Sequence, residues 1–97
     1  MEKKLTVESI RQKIMSALDK SGVDTILIDG ATFDSITRDK ESGTIWVGCI
    51  KITPENRMIN IYGYSDKELS PHAMIENLTA IDEALSKREK ELAKIIR

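Results

Sequence analysis

The chain has 97 residues, of which 40% are hydrophobic, 32% charged and only 4% aromatic. That length allows one domain with a modest, mainly aliphatic core, and the apolar fraction is too high for a disordered chain. A formal charge of −1 disfavours nucleic acid as a partner, because a general nucleic-acid footprint needs a basic domain.

Cys49 stands alone, so no internal disulfide can form and nothing points to an oxidising compartment. The opening MEKKL is followed by no apolar stretch of the kind a secretory signal needs. The longest apolar run, from Ile45 to Ile50, is far short of a membrane span. The expectation is a cytoplasmic protein with no membrane partner, folded as one domain over residues 1–97, with 86–97 as a projecting helix end.

Thr6 opens the first helix, where its hydroxyl can accept from early backbone N–H groups and Glu8 suits the positive end of the helix dipole. Leu5 and Ile10 have the spacing of a hydrophobic staple. Val7, Ile10, Ile14, Ala17 and Leu18 share one stripe, with Arg11, Gln12, Lys13 and Asp19 away from it. Gly22 is placed for a left-handed C-terminal cap.

Val23 to Asp29 is short and β-branched, and Asp29-Gly30 is a type I′ hairpin signal because both central residues must accept positive φ. Ala31 to Arg38 supplies the returning strand, and Asp39 to Gly43 a polar turn. Thr44 to Tyr64 then reads as two long strands joined at Pro54-Glu55-Asn56, with Thr53 opposite Arg57. Pro54 presets φ for a type I turn and Asn56 accepts a left-handed position.

That hairpin holds the one Trp and both Tyr residues. Continuous alternation would place Ile45, Val47, Cys49, Ile59 and Ile61 on one face, interrupted by Lys51. The other face would carry Trp46, Ile50, Ile52, Met58, Tyr62 and Tyr64, with Gly48 and Asn60 among them. An antiparallel sheet with one wet face should alternate apolar and polar, and this one does not. Two helices suffice to cover one face, so the aromatic face is the expected partner-binding surface, aromatics being enriched at interface centres.

Ser65-Asp66-Lys67-Glu68 has capping-box spacing and suggests one helical turn. Ser70-Pro71 then starts the last helix, with Ser70 as cap and Pro71 in the first position. No Gly or further Pro interrupts it, so it extends for roughly 39 Å, against about 17–20 Å for a strand of five or six residues. Met74, Leu78, Ile81, Leu85, Arg88, Leu92 and Ile95 form a heptad seam broken by Arg88. Beyond Ser86, five basic residues against Glu89 and Glu91 give a net +3. Leu92, Ile95 and Ile96 are the expected oligomer contact of that end.

Chemistry has little to stand on. His72 and Glu76 lie one turn apart, as a ligand or proton-transfer pair would, but they read more simply as a polar helix start. Cys49 reads as a small core hydrophobe, since His72 is the only imidazole that could activate it. Asp24, Asp29, Asp34 and Asp39 recur every five residues, a spacing that fits no calcium loop. There is no GxGxxG, P-loop, HExxH or CxxC motif.

The sequence therefore predicts an α+β domain, α-β-β-β-β-α, with a three- or four-stranded antiparallel meander. Its expected role is non-enzymatic and cofactor-free: a homodimeric adaptor, chaperone-like protein or inhibitor docking on a larger protein. The rival class is a small-molecule or metal-binding sensor using Asp29, Asp34, His72 and Glu76.

Overall fold

A computed structural model describes residues 5–28, 33–61 and 67–95, with side chains in the last helix as far as Lys90. Helix α1 (Val7–Ser21) is followed by strands β1 (Thr25–Leu27), β2 (Ser35–Arg38), β3 (Ile45–Val47), β4 (Ile50–Ile52) and β5 (Met58–Asn60), then helix α2 (Pro71–Ile95). The strands form one antiparallel sheet in the order β1-β2-β3-β4-β5, a meander. The class is α+β as expected, with one strand more than the sequence pattern suggests.

Local signals account for the ends of both helices. Thr6 and Ser9 cap α1 reciprocally, each side chain accepting from the other's backbone N–H at 3.0 Å. Gly22 closes α1 in the left-handed region at φ 67°, as its position predicts. Ser70 Oγ accepts from Ala73 N–H at 3.2 Å, with Pro71 in the first position of α2. The helical turn expected over residues 65–68 is corrected where it can be followed: Glu68 is extended and bridges to Ile59. Ser65 and Asp66 lie outside the described residues, as does the Asp29-Gly30 turn.

The additional strand comes from a break inside the predicted strand 44–53. Gly48 has φ 58° while Cys49 keeps a negative φ, the pattern of a two-residue type II′ hairpin turn. Val47 consequently pairs with Ile50, Trp46 with Lys51 and Ile45 with Ile52. The next turn forms as the sequence implies. Asn56 is left-handed at φ 66°, and Thr53 N–H donates to the Arg57 carbonyl at 2.9 Å.

Both helices lie against one face of the sheet. Val7, Ile10, Ile14 and Leu18 from α1 and Leu78, Ile81 and Leu85 from α2 join Ile26, Ile36, Ile45, Val47, Ile52 and Met58 in one buried cluster. Lys13 Nζ ties the helices together through Asp82 Oδ1 (2.7 Å) and Ser86 Oγ (3.0 Å), and Arg88 reaches Ser21 Oγ at 3.4 Å. These contacts climb in the same sense along both helices. Arg11 Nη2 anchors α1 to the β2–β3 turn by donating to the Gly43 carbonyl at 2.6 Å.

Candidate interaction surface

The two-residue turn at Gly48-Cys49 decides which side chains share a face. Residues that pair across an antiparallel ladder project to the same side, so Ile45, Val47, Ile50, Ile52 and Met58 all point toward the helices. The grouping of Ile50, Ile52 and Met58 with Trp46 is thereby corrected. Ile52 and Met58 are core residues with 0% exposure, and Ile50 is half-buried at the rim of the same face. Tyr62 and Tyr64, the other members of the expected aromatic face, lie outside the described residues.

Trp46 remains on the far side, on the middle strand and half-buried. The register lines up a row across that face: Thr25, Thr37, Trp46, Lys51 and Ile59, with Glu68 bridged to Ile59 at the end. Thr25 and Thr37 share a hydroxyl contact at 3.1 Å, and Arg57 pairs with Glu68 at the opposite margin. Leu27, Ser35 and the partly exposed Ile61 complete the face. Lys51, expected to interrupt the aliphatic side, stands instead beside Trp46 and makes no ion pair with any described residue.

The surface that no described helix covers is thus mixed, an aromatic flanked by hydroxyls and one ammonium group. Both faces of the hairpin looked apolar because the alternation was read straight through the turn. With the turn in place, Ile50, Ile52 and Met58 join Ile45 and Val47 on the helix side, and Trp46, Ile59, Ile61 and Leu27 are the apolar side chains left on the other. Lys51 and Ile59 change sides for the same reason, Ile59 being buried there at 8% exposure. Thr37 and Leu27 lie on β2 and β1, ahead of the turn, and carry no sequence signal of their own. The available signal was Gly48 itself, since Gly at the first central position of a tight hairpin is a type II′ marker.

Cys49 sits half-buried in the turn and not in mid-strand; its carbonyl accepts from Ile61 N–H at 2.9 Å. His72 Nε2 lies 2.9 Å from Glu76 Oε1, both well exposed on the first turns of α2. Asp34 is exposed ahead of β2, and Asp29 is outside the described residues. Among the described residues no three His, Cys, Asp or Glu side chains come together as a metal-binding group. No helix of the described chain is long and apolar enough to cross a membrane. The backbone of α2 carries Leu92 and Ile95, whose side chains, like Ile96 as a whole, lie outside the described residues.

The strongest electrostatic feature is structural. Arg38 projects from β2 into the helix side with its side chain only 5% exposed. It donates to Asp19 Oδ1 at 2.6 Å, to Asp24 Oδ1 at 3.1 Å and to the Val23 carbonyl at 3.4 Å. The hydrogen bond to Asp19 and then that to Asp24 raise its pKa above the ordinary arginine value, against the lowering effect of burial. The cluster stitches the end of α1 to the start of β1 and acts as a clasp.

Comparison of the chain with protein-family models, with curated proteins and with solved structures finds no match.

Proposed function

We propose that the chain is a non-enzymatic protein–protein contact module, a small self-associating protein that docks on a larger protein as an adaptor, chaperone-like factor or inhibitor. The observation that supports this is Trp46, held half-buried on the middle strand of the sheet face opposite both helices. Trp offers a large apolar area with one polar N–H, which suits it to the centre of a protein interface. Lys51 beside it adds a cation with no partner among the described residues. A matching surface presents an apolar side chain to Trp46 and a carboxylate to Lys51, the charge fixing orientation and the aromatic giving affinity.

The test compares proteins captured by the wild type with those captured by Trp46→Ala/Lys51→Glu, with Glu76→Lys as a surface control. The reading expects a partner retained by the wild type and the control and lost by the double variant. An identical set of captured proteins for all three would remove it.

A further inference from the structure

The fold treats the two edges of its sheet differently. On the β5 side the chain returns to cover the edge: Asn60 N–H donates to the Lys67 carbonyl (3.3 Å), Leu69 N–H donates to the Met58 carbonyl (3.0 Å), and Glu68 bridges Ile59. On the β1 side no described segment does this.

The direction of the free groups follows from the ladder. Arg38 N–H donates to the Asp24 carbonyl at 2.9 Å and Ile28 N–H to the Asp34 carbonyl at 2.7 Å. In an antiparallel pair the backbone groups alternate sides. Asp24, Ile26 and Ile28 therefore turn theirs toward β2, while Thr25 and Leu27 turn both N–H and C=O outward. Proteins commonly blunt such an edge with Lys, Pro, a bulge or a covering segment. Thr25-Ile26-Leu27 has no Lys, Pro or bulge, and Leu27 is 78% exposed.

We propose that β1 is a self-pairing edge: two copies of the chain join β1 to β1, antiparallel, about a two-fold axis at Ile26. In that register Thr25 of each copy lies opposite Leu27 of the other. Each such pair exchanges two hydrogen bonds, so every outward group of Thr25 and Leu27 is satisfied on both copies. The neighbouring symmetric register, centred on Thr25, would need the Val23 N–H, which already donates to the Leu18 carbonyl at 3.2 Å in the cap of α1. The cap thus disfavours the register centred on Thr25. Leu27 then covers Thr25 of the second copy, and the two sheets become one of ten strands with a continuous open face. The two-fold closes the assembly at a dimer.

This names the self-association surface of the function proposed above and separates it from the Trp46 contact. The test is mass in solution by light scattering over a range of concentrations, for the wild type, Leu27→Lys, Thr25→Pro and Trp46→Ala. Leu27→Lys puts a charge on the edge. Thr25→Pro removes an outward N–H and leaves the inward ladder to β2 intact. The expected result is twice the chain mass for the wild type and Trp46→Ala, and half that for the two edge variants, with unchanged circular dichroism. The Thr25 amide should also exchange slowly in the wild type and rapidly in Leu27→Lys. If Thr25→Pro unfolds, the exposed position of Leu27 leaves Leu27→Lys to decide. A monomeric wild type, or a dimer that survives Leu27→Lys, overturns the proposal. A dimer lost only in Trp46→Ala would move self-association to the open face. Loss of partner capture with the dimer intact concerns the Trp46 contact alone.

Discussion

Gly48 lies so close to Phe33 that a Cβ added to it would stand 2.9 Å from Phe33 Cβ, while its backbone holds φ 58°. Either constraint disfavours a side chain, and together they explain a glycine in the middle of an apolar run. Gly22 isolates the first effect, since it has φ 67° and nothing within 4 Å of its Cβ position. Gly22→Ala should cost about 1 kcal/mol for the left-handed backbone alone. Gly48→Ala should cost about 3 kcal/mol, strain and contact together. Urea unfolding of the two variants measures the difference. Equal losses would show that Phe33 yields freely.

The same glycine marks where the sequence pattern stopped being informative. Thr6, Gly22, Asn56, Ser70 and Pro71 each act through their own backbone or nearest turn, so their roles could be read locally. The run Ile45 to Ile50 fits one strand as well as two, because hydrophobicity does not encode φ at Gly48. A two-residue turn returns Ile50 to the face of Val47, whereas an unbroken strand sends it to the face of Trp46. That one difference moved Ile50, Ile52 and Met58 from a supposed contact surface into or beside the core, and Lys51 out of it. Trp46 survived as a surface residue because it precedes the turn.

The Arg38 clasp joins three segments, and its replacement should loosen all of them. Arg38→Leu removes the counter-ion that Asp19 and Asp24 share, leaving Asp24 only the exposed Lys40 at 3.7 Å, so its melting temperature should fall below that of the wild type. Arg38→Lys should recover only part of the loss, because one ammonium group cannot reproduce a planar fork that reaches Asp19 Oδ1, Asp24 Oδ1 and the Val23 carbonyl. The pKa of Arg38 is raised in the folded state. A raised base stabilises the fold at every pH below its unfolded value and ceases to do so only as pH climbs through the folded one. The deficit of Arg38→Leu should therefore stay constant from neutral to moderately alkaline pH. A deficit that shrinks between pH 7 and 10 would contradict a clasp carried by the arginine charge.

Helix α2 secures its place through Leu78, Ile81 and Leu85, with Asp82, Ser86 and Arg88 bonded to α1. A chain ending at Lys90 keeps all of these. Because every described contact of α2 with the rest of the fold is retained, its melting temperature should lie within about 3 °C of the full chain. With self-association at β1, its mass in solution should remain that of a dimer. A fall to the monomer mass would assign self-association to the end that carries Leu92, Ile95 and Ile96.

Ile45 and Trp46 are neighbours on the middle strand and face opposite ways, which allows stability and contact to be separated. Ile45 has 0% exposure and lies between Arg38 and Ile52 in the ladder, beneath the helices. Ile45→Ala should cost about 2–5 kcal/mol, the transfer free energy of the lost atoms plus the cavity they leave. Trp46 gives up less on truncation because part of its ring is already in water. Trp46→Ala should therefore unfold at a higher urea concentration than Ile45→Ala, although it deletes more atoms. At urea concentrations where both are folded, the order in a partner-capture assay should reverse, with Ile45→Ala retaining the partner and Trp46→Ala losing it. If Trp46→Ala proved the less stable of the two, Trp46 would be acting chiefly as a core residue of the far face, and its role as a contact would lose its support.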